Sequence, residues 1–171
     1  ASFADKNVGT AKTVSVGGIS LSGTDAANYS FNTSASTSAG DDFDIAIVTD
    51  VTHDTTTPMI SKIVEGDISC GKGPSLATAP AVHNKLLDFV TDVAEKKKIP
   101  VQWRSLSRST GTDTDSFAYA NDGCPSVLIS IPLRYMHPTV EMLHKSDIEN
   151  TIHLMYETLL ALSPKTNLRY L

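Results

Sequence analysis

The sequence predicts an α/β fold built on a largely parallel sheet, and three observations carry that expectation. From residue 41 onward, short apolar runs alternate with segments of helical periodicity. The 171 residues are 40% hydrophobic, enough for one substantial core. Polar or acidic residues close the apolar runs, as expected where parallel strands all end in one crevice. Residues 1–40 differ: eighteen of them are Ser, Thr or Gly, none is proline, and the charges of Asp5, Lys6, Lys12 and Asp25 cancel. The remainder carries the whole net charge of −5 and all eight prolines, so the chain reads as a β segment over 1–40 and an α/β domain over 41–171.

In the first segment, 13–16 (Thr-Val-Ser-Val) and 19–22 (Ile-Ser-Leu-Ser) alternate in polarity around Gly17-Gly18, which predicts a tight hairpin. Tyr29 and Phe31 offer a third period-2 fragment. So small a β element has to pack on something larger or add strands to it. In the second segment, 44–50 is an apolar strand ending in Asp50. Val82, Leu86, Phe89, Val90 and Val93 recur at helical spacing behind Pro80. Val101 to Leu106 is the next strand, and Thr112 is placed to cap a short helix with Asp113 and Asp115 in its first turn. Ser126 to Ile131 forms a third strand. A final helix opens on Ser146 and Glu149 in capping-box spacing and presents Ile148, Ile152, Met155, Leu159 and Leu162 as one stripe. Strand–helix alternation then gathers Asp50, the 111–113 turn and His137 into one crevice.

Charge and composition exclude several partners. A net charge of −5 and a pI near 5.4 give no attraction for nucleic acid or anionic membranes. No apolar run approaches the ~20 residues of a membrane helix, and the N-terminus lacks the order of an export signal. Cys70 and Cys124 fit free thiols in a reducing compartment, though one bridge remains open.

Each chemical motif has an ordinary reading beside it. Residues 66–72 (Gly-Asp-Ile-Ser-Cys-Gly-Lys) match the start of a phosphate-binding loop, but Gly73 replaces the magnesium-holding hydroxyl and Pro74 follows, so a glycine-rich turn explains them more simply. His137, Glu141 and His144 would share one face of a helix and suit zinc, whereas an exposed acid and base after a strand-ending histidine is the commoner arrangement. Asp50 is either a turn former or a crevice ligand; His53 and Asp54 raise the ligand density there, in a loop rich in threonine. His83 and His153 lie on helices, where surface or core roles are usual. Cys70 or Cys124 acts as a nucleophile only if a histidine lowers its pKa, and Cys70 is the more accessible.

Residues 2–10 and 18–29 resemble one repeat of the Tyr-Asp-Gly-type modules of filamentous-haemagglutinin-like adhesins, which implies spacing or packing without chemistry. Residues 47–53 (Ile-Val-Thr-Asp-Val-Thr-His), 71–74 (Gly-Lys-Gly-Pro), 111–113 (Gly-Thr-Asp) and 131–137 (Ile-Pro-Leu-Arg-Tyr-Met-His) together resemble the C-terminal part of the glutamyl and tetrahedral aminopeptidases. That family includes proteins labelled cellulase M or endoglucanase, and the likeness runs over about residues 41–170. It implies a two-metal catalytic domain in a three-layer α/β/α sandwich, here truncated, together with zinc or cobalt, release of N-terminal residues from peptides, and assembly into dodecamers. By the same resemblance Asp50 is a ligand of one metal and His137 of the other, while His53, Thr112 and Asp113 belong to the substrate surroundings. The family's early ligands and its glutamate general base have no counterpart in residues 1–40.

One carboxylate and one imidazole leave each ion largely hydrated. A second copy would supply two more ligands, and a local route would recruit His53 or Asp54. The expected function is therefore a metal-dependent hydrolase with a remodelled zinc site acting on ester, phosphoester or peptide-like bonds of a small-molecule or peptide substrate. The alternatives are a metal-free cysteine hydrolase and a non-catalytic packing module. A sheet that lacks strands exposes an edge, so a homodimer or higher homo-oligomer is expected, and the aminopeptidase likeness points to the cytoplasm.

Overall fold

The computed structural model describes residues 45–120, 123–163 and 165–168, and the backbone of residues 2–3, 12–17 and 34–39. The chain divides into two units, Ala1–Phe43 and Asp44–Leu171. In the first, β1 (Ser2–Phe3), β2 (Lys12–Gly17) and β3 (Ser34–Ala39) form their own antiparallel sheet in that order. The partner of residues 13–16 is thus 35–38, in a register that sets Gly17 opposite Ser34. The expected pairing across Gly17-Gly18 rests on residues 19–22, which lie outside the described residues, as do 29 and 31.

The second unit runs β4 (Ala46–His53), α1 (Lys62–Glu65), β5 (Ser75–Thr78), α2 (Asn84–Lys97), β6 (Gln102–Ser105), α3 (Asp113–Ala118), β7 (Ser126–Arg134), β8 (Met142–Leu143) and α4 (Lys145–Ala161). Its sheet has the order β4-β7-β5-β6, with β8 added beside β7. β4 and β7 pair in parallel over eight positions and β5 and β6 over four, whereas the antiparallel contacts of β7 with β5 and β8 cover two each. The α/β class and the mainly parallel sheet therefore hold. The direction of β5 and β6 differs from expectation. A helical crossover through α2 makes them parallel to each other, but the pair lies antiparallel to β7. The ends of β6 and of β4 and β7 consequently point opposite ways, so strand direction does not carry the 111–113 turn to the edge where β4 and β7 end in the way the sequence pattern implies.

Leu86, Leu87, Val90, Val93 and Ala94 bury one face of α2 against Leu76, Val127, Leu128 and Ile129 of the sheet and Leu154 of α4. The helix starts later than its periodicity suggests. His83 caps it by accepting the Leu86 N–H, and Pro80 stays outside in the preceding turn. It ends at Lys98, whose φ of 55° gives a left-handed stop. Val82 is buried ahead of the cap, so the core stripe continues beyond the helix.

α4 departs furthest from expectation. It begins at Lys145 with His144 as its cap, not Ser146, and the face it buries carries Asp147, Thr151, Leu154 and Thr158. The apolar stripe faces outward: Ile152, Tyr156, Leu159 and Leu160 are 62, 59, 57 and 63% exposed. Among the described residues, no helix is long and apolar enough to cross a membrane.

Candidate functional site

The C-terminal ends of β4 and β7 position the candidate site. Asp50 lies within β4, opposite Ser130, because the strand runs three residues past it to His53. Its Oδ1 accepts the N–H of Val51 at 2.7 Å, and the side chain is half-buried. Thr52 shares Asp50's face of the strand by the two-residue period. Its hydroxyl accepts a 2.7 Å hydrogen bond from Arg104, whose guanidinium also pairs with Glu65. This half-buried cation beside Asp50's face has no sequence signature, since Arg104 stands on β6, 52 positions from Thr52.

His53 ends β4 beside Leu133, half-buried. Asp54, buried, is committed elsewhere. One carboxylate oxygen accepts the N–H and hydroxyl of Thr56 at 2.7 and 2.6 Å, and the other accepts the Cys70 N–H at 3.2 Å. Burial alone would raise the Asp54 pKa, but these donors outweigh it and hold the group below its ordinary 3.8. Asp54 thus builds the turn that its threonine-rich setting suggests, and has little left for a metal.

Cys70 fails the requirements of a nucleophile. Its thiol lies 3.4 Å from the Pro132 carbonyl oxygen. Burial, first, and the Asp54 and Asp147 carboxylates push its pKa to about 12, so it stays protonated at neutral pH. Cys124 is buried at the start of β7. The adjoining glycine loop is filled from within: the N–H groups of Gly71 and Gly73 donate to the two carboxylate oxygens of Asp147 at 2.7 and 2.8 Å. Gln102, also buried, accepts from Ser69 N–H and donates to the carbonyls of Ser69 and Gly73. A loop that resembled a phosphate cradle is therefore closed around the protein's own carboxylate. Sequence reasoning missed Asp147, which lay hidden inside the supposed capping box.

His137 follows β7 in an exposed turn. Tyr135 and His137 adopt left-handed backbone, φ 60 and 71°, and the His137 N–H donates to Glu141 at 2.6 Å. Residues 137–144 are not helical. Met142 and Leu143 form β8, and His144 caps α4 through its Nδ1, so His137, Glu141 and His144 share no helix face. Thr112 caps α3 as predicted, accepting the Thr114 N–H at 3.2 Å, and Asp113 is exposed. Asp115 closes the same turn by accepting the N–H groups of Thr110 and Gly111 at 3.0 Å. Among the described residues no three His, Cys, Asp or Glu side chains converge as a metal-binding group.

A family model described as M42 glutamyl aminopeptidase matches residues 32–154, and one described as a YDG domain matches residues 1–39. A lysyl aminopeptidase of Pyrococcus furiosus is 39% identical over 94 residues, 55% of this chain and 27% of that protein. The crystal structure of a TET aminopeptidase from a marine sediment Thaumarchaeota archaeon is similar with a TM-score of 0.66 and 36% identity, covering 72% of this chain and 34% of that one. A structure described as PhTET1-12s, a dodecamer in the asymmetric unit, is similar at 0.55 and 28% identity over 68% of this chain and 33% of that one. The chain thus spans about a quarter to a third of the length of these relatives.

Proposed function

The chain belongs to the M42 glutamyl aminopeptidase family, and from that premise we propose that it is a metal-dependent hydrolase unit acting on peptide-like or ester bonds. In this reading Asp50 donates a carboxylate to one zinc or cobalt ion and His137 an imidazole to another, with His53, Thr112 and Asp113 toward the substrate. The observation that supports it is the pairing of β4 with β7. Parallel strands carry Asp50 and His53 on one, and His137 three residues beyond the other's end, toward the same edge.

One chain's described residues do not fit a self-sufficient metal centre. No third ligand converges, and Asp54 already accepts three hydrogen bonds. No catalytic step is therefore derived through a metal. The remodelled centre takes its further ligands from another copy, and the dodecameric relative supports a homo-oligomer. The cysteine alternative loses ground to the protonated Cys70 thiol.

Metal uptake tests the reading. Protein loaded with zinc or cobalt and desalted should retain the ion by elemental analysis, and Asp50→Ala and His137→Ala should each lower retention and hydrolysis of aminoacyl anilides and esters at least tenfold. Neither retention nor turnover in the unsubstituted protein would leave the non-catalytic packing module as the correct account.

A further inference from the structure

β4 has the composition of an interior strand in the position of an outer one. Ile47 and Val51 project to one face and Val48 to the other, as in a strand covered on both sides. Yet Thr52 is its one buried residue and Thr49 is exposed, whereas β7 is buried along most of its length. Among the described residues β7 is the sole strand beside it. The ladder fixes which backbone groups are left over. Ala46 N–H donates to the Pro125 carbonyl and Asp54 N–H to that of Leu133, both at 2.8 Å, and the register between them is unbroken. Even-numbered residues therefore face β7, and the N–H and C=O groups of Ile47, Thr49 and Val51 point to the open side. The usual guards of an edge are missing, since β4 contains no proline, no lysine and no bulge.

Asp50 interrupts this row at one place. The N–H of Val51, which the ladder sends outward, is the group that donates to Asp50 Oδ1 at 2.7 Å, so the carboxylate leans over the open edge. A strand laid along the edge meets free donors and acceptors at positions 47 and 49 and is stopped at 51. Ile47 to Val51 spans ~13 Å, room for about five extended residues. So short a seat, closed at one end, suits the end of a chain better than its middle. Charge selects which end. Asp50 is the only carboxylate on β4, and the strand has no Lys or Arg. A peptide antiparallel to β4 brings its terminal ammonium to Asp50, whereas a parallel one brings a second carboxylate.

We propose that the open edge of β4 binds an extended peptide with a free amino terminus as an added antiparallel strand, its first, third and fifth residues opposite Val51, Thr49 and Ile47. The terminal ammonium pairs with Asp50 and the Val51 carbonyl, and the third and fifth residues exchange N–H···O=C bonds with Thr49 and Ile47. The choice of a peptide rests on the hydrolase reading above, in which the stop at Asp50 presents the amino-terminal residue to the site; the edge itself uses no metal.

Peptide binding under a chelator tests the edge apart from the metal. The full chain in EDTA should bind Val-Thr-Val-Lys-Val amide, labelled at its carboxyl end, by fluorescence anisotropy. Acetylation of the amino terminus should weaken binding about tenfold or more, as should N-methylation of the third residue, whose N–H faces β4. N-methylation of the fourth residue, whose N–H faces away, should change it by less than about twofold. Thr49→Pro removes an outward N–H and no bond to β7, so it should bind about tenfold more weakly with unchanged circular dichroism; the peptide variants need no change in the protein. In hydrogen exchange of the unliganded chain, the amides of Ile47 and Thr49 should exchange fast and those of Val48 and Asp50 slowly. No binding in EDTA, or equal loss from the two N-methylations, would overturn the proposal. So would protection of the Thr49 amide without peptide, since the edge would then already be covered by another part of the chain or a second copy. Peptide bound in EDTA by a protein that retains no zinc or cobalt on desalting would uphold the edge and sink the metal centre, and metal retained without peptide binding would do the reverse.

Discussion

Gly71 and Gly73 both hold left-handed backbone, with φ of 84 and 91°, yet their surroundings differ sharply. A Cβ on Gly73 would lie 2.0 Å from the Pro100 carbonyl oxygen, while one on Gly71 would meet only the His144 ring at 3.6 Å. Gly73→Ala should therefore destabilise the protein by about 3 kcal/mol or more, since the loop must break its bonds to Asp147 and Gln102 to make room. Gly71→Ala should cost about 1 kcal/mol, the backbone term alone. Equal losses for the two in urea denaturation would contradict this. His83 gives a pH signature. Burial, and then the Lys85 ammonium, hold its pKa below 6.5, and its neutral ring must accept the Leu86 N–H. The proton thus prefers the unfolded chain: this contribution is complete above the unfolded value and declines as pH falls through it, levelling off below the folded pKa. Denaturation midpoints at about pH 8 and about pH 5.5 should differ more for the unsubstituted protein than for His83→Asn, which caps without titrating.

At the scale of elements, α3 is the case where local sequence sufficed. Threonine as cap and acids in the first turn are interactions within a few residues, and the structure realises them. Thr112→Ala should cost about 1 kcal/mol and Thr112→Ser much less, measured by thermal or urea unfolding. Equal effects would mean that the hydroxyl's bond to Thr114 is not what the position supplies. α4 is the opposite case. Its apolar period is real, but the helix is held to the rest of the unit by Asp147 reaching the glycine loop 74 and 76 positions away and by Leu154 in the core. Asp147→Asn should destabilise by about 2 kcal/mol, because an amide accepts only one of the two N–H groups and buries two donors beside the other. An unchanged unfolding midpoint would show that the loop does not depend on the carboxylate.

For the whole molecule, among the described residues the buried hydrophobic cluster and the residues packed on it run from Ile45 to Leu168 of the second unit. A chain of residues 44–171 should accordingly keep a single cooperative unfolding transition with its midpoint little changed, and loss of that transition would place an essential contact in 1–43. The sequence alone established what depends on neighbours: the α/β class, the α2 stripe, the capped α3, the strands at 46–53 and 126–134 to within a few residues, and Asp50 and His137 as the residues worth testing. Tertiary structure decided the reversed direction of β5 and β6, the outward turn of the α4 stripe, the closure of the glycine loop on Asp147 and the silencing of Cys70 by burial, to which two carboxylates add. Periodicity and capping are written within a few residues, whereas each of those outcomes joins groups many positions apart and depends on which surfaces meet when the chain collapses.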